Sequence, residues 1–366
     1  MKKWITHPAT LFFFLFIFTF TALDMTAPHQ SHSELENRPL AQKPTFHLDT
    51  LLSNEYTPKY EEYVNDQFFL RSGWIDIKSR SEFLLGKLEN NNVVYGKDGY
   101  QFTKMFRADQ EQYLKNVTMI NRFAEKHPGL VTVMIVPSPY VPLADKLPAG
   151  APFIDENACL DEIFSGLSGD VQVLDVRDVL YSHREEYIFY RTDHHWTTHG
   201  AYLAYQAYAD LQGLSPFDPG SHTAVEVPDF YGTNFSKSKL FNTVPDVITY
   251  YDLPASVEIN GTVTGLYDLP KFETRDKYAA FLYGNNGLTR VSGSGNGKCL
   301  VIKDSYANCF VPFLTENYAQ IDVVDLRTMS QSVDELIEQE AYTDILILYN
   351  FQSFQSDNNL VKLVLN

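Results

Sequence analysis

The sequence predicts an α/β protein whose parallel sheet carries helices on both faces, with a β-rich insertion added. Two observations support this prediction, and a third sets a separate N-terminal segment apart from the sheet domain. Short apolar stretches typical of buried strands alternate with stretches of helical periodicity, as in strands joined by crossover helices. Residues 215–289 break that alternation with proline, glycine, aspartate and β-type runs. An almost unbroken apolar run, 9–23, stands near the N-terminus and lies outside the predicted sheet domain.

Residues 1–24 have the composition of a signal peptide or a signal anchor. Lys2 and Lys3 precede the apolar run, and Thr21-Ala22 offers only a poor cleavage site. As an uncleaved helix, the segment from Ile5 to Leu23 would span about 28 Å, which is enough to cross the hydrocarbon core. We therefore favour an anchor with its lysines in the cytoplasm, and we expect the remaining chain to lie outside the cytoplasmic membrane.

The chain after the anchor is predicted to consist of a tether and one folded domain. Residues 25–44 hold few apolar side chains and several Pro, Ser and Gln residues, which is typical of a tether. Residues 45–366 form the predicted domain, with the insertion at about 215–289. It begins with a helical pattern over 48–88 that is interrupted at Pro58. A β-hairpin follows at 91–102.

Strands and helices alternate beyond this hairpin. The predicted helices cover 107–126, the segment 197–213 (with Thr197 or Thr198 as N-cap and Gly213 as stop), 306–319, and a segment opened by a capping box at Ser332. The predicted strands lie at 130–139, 171–176, 299–303, 321–326 and 344–350.

Charge, cysteine content and glycine pattern exclude several classes of function. The net charge of −17 is spread along the chain without a basic stripe, which argues against nucleic acid as a partner. Three cysteines are too few for a disulfide framework, and their odd number would leave one unpaired. Cys299 and Cys309 stand in apolar strand and helix patterns, which is typical of buried thiols. The glycine-rich segment 292–299 does not fit a phosphate-binding loop, because Cys299 stands where Ser or Thr must hold magnesium. No cofactor is predicted.

The segment FYRTDHHWTTHGAY, 189–202, holds three of the ten histidines and predicts a catalytic base. In extended backbone, side chains two residues apart face the same way, so Asp193 and His195 point together and His194 points away. Ser305 follows an apolar strand and precedes a predicted helix, where a nucleophile is exposed and backbone N–H groups can face an oxyanion. We therefore predict that Asp193 orients His195, that His195 accepts the proton of Ser305, and that Ser305 attacks.

Further side chains are predicted to bind substrate, because ligands of parallel α/β sheets bind at the carboxyl ends of the strands. Arg327, Tyr349 and Asn350 end or follow two such strands. Trp196 could be a platform for a sugar ring, or a core anchor between loop and helix. A metal site of Asp193, His195 and His199 is an alternative that we rank below the triad, because the helix cap at Thr197 or Thr198 separates the two histidines.

The segments YRTDHHWTTHGAY and VIKDSYAN resemble the bacterial DHHW family and related SGNH-hydrolase-like proteins that O-acetylate alginate and other extracellular polysaccharides. The similarity extends more weakly over about 91–350, and Lys303 stands where glycine is usual. This resemblance implies an SGNH-hydrolase-like fold and an extracytoplasmic serine-dependent O-acetyltransferase or acetylesterase acting on a cell-surface or secreted polysaccharide. A transferase would need a membrane-bound acyltransferase partner, because acetyl-CoA is absent outside. The rival functions are a non-catalytic glycan-binding or surface scaffold protein and a metal-dependent hydrolase.

Overall fold

The structure, a computed structural model, describes residues 7–33 and 36–365, so Lys2 and Lys3 lie outside the described residues. The chain divides into two compact units. The N-terminal unit comprises Met1–Asn90 and Ser236–Asn242, and the sheet unit comprises Asn91–Phe235 and Thr243–Asn366. Residues 45–90, which we predicted as part of the sheet domain, group instead with the N-terminal segment.

The N-terminal unit is mostly helical. Its first helix is long and apolar enough to cross a membrane, and none of its residues is buried. Such a helix is consistent with a signal anchor. The elements of this unit are α1 Pro8–Thr26, β1 His32–Ser33, β2 Arg38–Pro39, α2 Leu48–Leu52, α3 Tyr56–Gln67, α4 Arg71–Leu84 and β3 Glu89–Asn90.

The helical stretch 48–88 breaks at other places than Pro58. Pro58 lies in the first turn of α3, where a missing N–H costs no intrahelical hydrogen bond. One break falls between α2 and α3. The other falls at Leu70, whose φ of 56° is left-handed and cannot continue a helix.

The predicted tether is folded over part of its length, because the carboxylate of Asp66 gathers donors from it. Asp66 accepts two hydrogen bonds from the Arg38 guanidinium at 2.8 and 2.5 Å, and one from the Ala41 amide at 2.9 Å. The strands β1 and β2 pair antiparallel just before this point. A charge-assisted bidentate contact of this kind fixes a segment whose composition alone predicts flexibility.

The sheet unit alternates strands and helices much as predicted. The hairpin at 91–102 forms from two paired strands. The elements are β4 Val93–Tyr95, β5 Gln101–Thr103, α5 Gln110–Lys126, β6 Val131–Val136, α6 Glu156–Gly166, β7 Val171–Val173, α7 Arg177–Ser182, α8 Thr198–Gln212, β8 Thr223–Phe230, α9 Thr233–Ser238 (of which the residues from Ser236 onward belong to the N-terminal unit), β9 Asp246–Asp252, β10 Ser256–Ile259, β11 Thr262–Gly265, β12 Leu288–Ser292, β13 Lys298–Lys303, β14 Gln320–Val324, α10 Val333–Gln339, β15 Asp344–Asn350 and α11 Phe351–Phe354.

The main sheet has eight strands in the order β11-β10-β12-β14-β13-β15-β6-β7. The strands β14, β13, β15, β6 and β7 are parallel, as predicted. The strands β12, β10 and β11 extend the sheet antiparallel at one edge. The sheet is therefore mixed and not wholly parallel, because strands from the insertion and its end complete it.

The central strands are covered on both faces. Every residue of β6 is buried, and so is every residue of β13 and β15 after the first. Since successive side chains of a strand point to opposite faces, burial at every position requires packing on both sides of the sheet.

Two helix predictions differ from the structure. The predicted helix 306–319 is a pair of 3-10 segments, Ser305–Cys309 and Val311–Glu316, because Pro312 cannot donate to a continuous α-helical ladder. The helix after Ser332 forms as α10, but the Ser332 side chain makes no capping hydrogen bond. By contrast, α8 begins after Thr197, whose side chain accepts from the Gly200 amide at 3.1 Å, and ends at left-handed Gly213.

A buried carboxylate lies behind the carboxyl end of β6. Glu156, the first residue of α6, is 1% exposed and accepts a hydrogen bond from the Ser138 amide at 2.6 Å. Burial raises the pKa of Glu156 to about 7. In the unfolded chain this carboxyl ionises near its ordinary pKa of 4.5, so the folded state holds the extra proton between those two values.

We expect Glu156→Gln to stabilise the protein more at pH 8 than at pH 5. A raised folded pKa makes stability fall as pH rises from about 4.5 to about 7, and glutamine keeps the acceptor without ionising. The gain in free energy of unfolding between the two pH values is expected to reach roughly 2.5 kcal/mol. Denaturant unfolding at both pH values measures it, with Glu125→Gln on the exposed side of α5 as control. An equal effect at pH 5 and pH 8 would contradict the assignment.

Candidate active site

Three side chains predicted to act together do meet in the structure. His195 Nδ1 lies 2.5 Å from Asp193 Oδ1, and His195 Nε2 lies 2.7 Å from Ser305 Oγ. The His195 amide also donates to Asp193 Oδ1 at 2.9 Å. Asp193 and His195 are buried, whereas Ser305 is partly exposed. The arrangement is a hydrogen-bonded chain from carboxylate to imidazole to hydroxyl.

The turn after β13 is held by the carboxylate of Asp304. One carboxylate oxygen accepts from the Tyr306 amide at 2.8 Å, and the other accepts from the Asn350 amide of β15 at 3.0 Å. The turn that carries Ser305 is thereby tied to the neighbouring strand. The Tyr306 N–H, which opens the segment after the serine, is used in this contact and is not directed at an oxyanion.

Trp196 joins the histidine segment to the serine segment. Its indole N–H donates to the Tyr306 carbonyl at 2.9 Å, and its ring stacks on Phe310 with centroids 6.2 Å apart. The tryptophan is fully buried. This contact fixes the position of His195, the preceding residue, relative to the residue after Ser305.

The charge of Asp193 is stabilised from several sides. Burial alone would raise the pKa of this carboxyl, but His194 and His195, a hydrogen bond from His195 and another from the Thr233 amide at 2.6 Å lower it well below its usual value. Asp193 therefore stays ionised over the physiological pH range. An ionised Asp193 fixes the Nδ1-protonated tautomer of His195, which leaves Nε2 free to accept from Ser305.

Two residues of the insertion complete the site and were missed from sequence. The ring of Tyr278 stacks on His195 with centroids 3.9 Å apart and planes 17° apart, and its hydroxyl donates to the Ser305 carbonyl at 3.1 Å. The backbone at Gly232 lies so close to Asp193 that an added Cβ would fall 2.2 Å from the Asp193 Cβ. Neither residue stands in a recognisable motif, so only the folded chain reveals them.

Lys303, in the position where the family resemblance leads one to expect glycine, points into the interior. It is 2% exposed, and its Nζ donates to Asn285 Oδ1 at 2.6 Å and to Asn308 Oδ1 at 2.8 Å. Burial lowers the pKa of Lys303 to about 8, against the opposing influence of Asp325 and Asp304. Lys303 thus holds the end of β13 in place behind Ser305, whereas a glycine at this position would make no such contacts.

The metal alternative of Asp193, His195 and His199 is not assembled. His199 Nε2 lies 2.5 Å from Glu186 Oε2 on the exposed side of α8. Among the described residues, Asp193, His194 and His195 could instead group around an ion. However, ligand atoms around a tetrahedral zinc stand about 3.3 Å apart, as follows from bonds of about 2.0–2.1 Å. The 2.5 Å between Asp193 Oδ1 and His195 Nδ1 therefore fits a hydrogen bond and not shared ligation.

The other predicted substrate-binding residues lie mostly inside the protein. Trp196 and Tyr349 are 0% exposed and Asn350 is 2% exposed. The Asn350 amide side chain caps α11, where it accepts from the Gln352 N–H at 3.0 Å. No polysaccharide could touch these three side chains without rearrangement. Arg327 is partly exposed and forms a bidentate pair with Asp325 at 2.8 and 2.5 Å, and its role in substrate binding stays a prediction.

Comparison with known proteins supports the fold. A family model described as DHHW protein matches residues 91–324. The chain is similar to the crystal structure of a DHHW family protein from Eubacterium siraeum, with 24% identity and a TM-score of 0.65 over 75% of this chain and 95% of that one. No curated protein matches the chain.

Two structures of PatB1 from Bacillus cereus are also similar to this chain. One carries a sulfonyl adduct and shares 18% identity, with a TM-score of 0.61 over 75% of this chain and 99% of that one. The other shares 18% identity, with a TM-score of 0.58 over 71% and 96%. At these identities the likeness shows a common α/β fold with a large mixed sheet.

Proposed function

The chain belongs to the DHHW family, and from this premise we propose that it is a serine-dependent O-acetyltransferase or acetylesterase of a cell-surface or secreted polysaccharide. One observation carries the proposal. It is the chain of hydrogen bonds from Asp193 through His195 to Ser305, a partly exposed residue, which supports the role of His195 as the base for Ser305. A serine at neutral pH needs such a base to become a nucleophile.

The proposed reaction has two halves. In the first, Ser305 Oγ attacks the carbonyl carbon of an acetyl ester while His195 Nε2 takes the serine proton. The ester C–O bond then breaks, and the leaving oxygen takes that proton from His195, which leaves acetyl-Ser305. In the second half, His195 takes a proton from a sugar hydroxyl or from water, the resulting oxygen attacks the acetyl carbon, and Ser305 recovers its proton on release.

Two aromatic contacts support the proposed roles. Tyr278 stacks on the imidazole and Trp196 anchors the adjoining backbone, so the ring has little freedom to leave the serine. An imidazole held in one orientation needs no rearrangement before it accepts the serine proton, so less conformational entropy is lost on reaching the transition state. Ionised Asp193 would stabilise the imidazolium that forms when His195 accepts the proton.

The proposed location is outside the cytoplasmic membrane, held there by α1 as an anchor. The length and apolar composition of α1 support this proposal. A transferase in that compartment would receive acetyl groups from a membrane-bound acyltransferase partner, and its acceptor would be an extracellular polysaccharide. Both partners follow from the family resemblance in the segments YRTDHHWTTHGAY and VIKDSYAN.

We expect an aryl sulfonyl fluoride to modify Ser305 and to abolish cleavage of a chromogenic acetyl ester. The sulfonyl adduct carried by the PatB1 structure motivates this choice of probe. Intact-mass and peptide mass spectrometry of the full chain would locate the adduct, and it should be absent from Ser305→Ala. His199→Ala serves as control, because His199 pairs with Glu186 away from the triad. A chain that neither reacts with the probe nor cleaves the ester would instead support the glycan-binding or scaffold function.

A further inference from the structure

The outward face of α4 carries a row of large apolar side chains. Leu70, immediately before α4, is 62% exposed, and Trp74, Ile77 and Leu84 are 38%, 55% and 83% exposed. At 3.6 residues per turn these four positions fall on one side of the helix. We call this row the α4 stripe. The exposed Ser81 lies between Ile77 and Leu84 on this side. Four large apolar side chains exposed on one side of a 14-residue helix and its cap are still unusual for a protein surface that faces only water.

The orientation of α4 is fixed by its other face. Ser79 is 2% exposed, and its hydroxyl donates to the Lys239 carbonyl at 2.8 Å within the N-terminal unit. Ser79 lies nearly opposite Ile77 around the helix, because two residues turn the helix by about 200°. The stripe therefore points outward as a consequence of packing on the opposite side.

The stripe is continuous with the apolar surface of α1. The Trp74 ring lies 5.6 Å from the Phe20 ring and 6.4 Å from the Phe16 ring, between centroids. The Phe69 amide also donates to Asp24 Oδ1 at 2.9 Å. At about 1.5 Å per residue, Phe20 and Phe16 lie about 6 and 12 Å along α1 from Asp24. Trp74 thus lies at the depth that an interfacial helix occupies if Asp24 marks the membrane surface.

The charges around the stripe fit a membrane surface. Residues 72–88 contain three basic and two acidic side chains, a local net charge of +1 in a chain of net charge −17, and Arg71 at the start of α4 is paired with Glu36 at 2.7 Å. Lys78 and Arg80 lie on opposite flanks of the stripe. Arg80 pairs with Asp76 at 2.8 Å and covers the Phe241 ring, so its aliphatic stem lies along apolar surface while its head stays polar. Basic residues beside an apolar helix face are typical of helices that lie on anionic bilayers.

We infer that α4 lies in the outer interface of the bilayer that α1 crosses, with the α4 stripe among the lipid acyl chains and its flanking basic residues at anionic phospholipid headgroups. This inference goes beyond the enzymatic function and rests only on α1 as the anchor. The N-terminal unit is then attached to the membrane by the spanning helix α1 and by α4, which lies parallel to the membrane surface. Two attachments fix the orientation of the unit on that surface.

Spin-label accessibility in the full chain tests the inference. Ile77→Cys and Leu84→Cys place labels on the stripe, and Ser72→Cys places one on another exposed position of the same helix. All three are made with Cys159→Ser, since Cys299 and Cys309 are buried and do not react. The chain is reconstituted in vesicles of phosphatidylethanolamine and phosphatidylglycerol. Collision of the labels with lipid-soluble oxygen is compared with collision with a water-soluble nickel chelate.

We expect oxygen to dominate at positions 77 and 84 and the nickel chelate to dominate at position 72. Dominance of the nickel chelate at all three positions in membrane-bound protein would overturn the inference. Shielding of positions 77 and 84 from both reagents would also overturn it, because it would show a protein partner on the stripe. If the chain is recovered without α1, the anchor proposal fails separately. The processed chain is then added to the same vesicles, and water-exposed labels there would overturn the role of α4.

Discussion

Replacing Ser305 or His195 by alanine is expected to lower the kcat/KM for a chromogenic acetyl ester by about 10⁴-fold or more. The physical reason is the 2.7 Å contact between His195 Nε2 and Ser305 Oγ, which makes each side chain useless without the other. The double variant should therefore be scarcely worse than either single variant. Asp193→Asn should cost a similar or smaller factor, since asparagine stabilises the wrong tautomer of His195.

His194→Ala and His199→Ala are the matched controls for this prediction. His194 lies beside the base, with its Nδ1 3.6 Å from Asp193 Oδ1, and His199 pairs with Glu186. Both should retain most of the activity. Full activity in Ser305→Ala would disprove acyl transfer through this serine. Inactivation by chelators together with loss of activity in His199→Ala would point to a metal-dependent hydrolase instead.

Local patterns predicted the parts of the fold that local physics determines. Thr197 and Gly213 delimit α8 as expected, because an N-cap hydroxyl and a left-handed glycine act within a few residues of the chain. The same holds for the strand that ends at Lys303. The spacing of Asp193 and His195 predicted that the two side chains would meet, and in the structure His195 links Asp193 to Ser305. The prediction that His194 points away was wrong, because residues 191–195 form bends and not an extended strand, and His194 Nδ1 lies 3.6 Å from Asp193 Oδ1.

Features that depend on distant segments were not visible from sequence. Tyr278 and Gly232 belong to the insertion, and their proximity to His195 and Asp193 depends on how residues 215–289 fold back. Composition predicted a tether where Asp66 in fact binds Arg38, since an ion pair across 28 positions leaves no periodic signal. The antiparallel sheet edge was missed for a similar reason, because β12 has the mixed sequence LTRVS and was not predicted as a strand, and its pairing with β14 joins segments about 30 positions apart.

The close approach of Gly232 to Asp193 has a functional consequence that a single methyl group can test. In Gly232→Ala the new Cβ would lie 2.2 Å from the Asp193 Cβ and 2.4 Å from Oδ2, so one of the two segments must move by about an ångström or more. That movement would also disturb the 2.6 Å hydrogen bond from the Thr233 amide. Since a shift of about 1 Å in a catalytic group can cost about 10²-fold, we expect kcat/KM to fall by about 10²- to 10³-fold.

Two comparisons separate this positioning effect from general loss of stability. Gly169→Ala adds the same methyl group in the sheet unit where no atom lies within 4 Å, and it should leave kcat/KM unchanged. The second comparison uses Asp193→Gly, which removes the side chain that the methyl group would strike. If Gly232 acts by holding Asp193 in place, Gly232→Ala should cost little further activity in that background, because interacting sites are not additive. A full additional loss there, or wild-type activity in the single variant, would show that Asp193 does not depend on the glycine for its position.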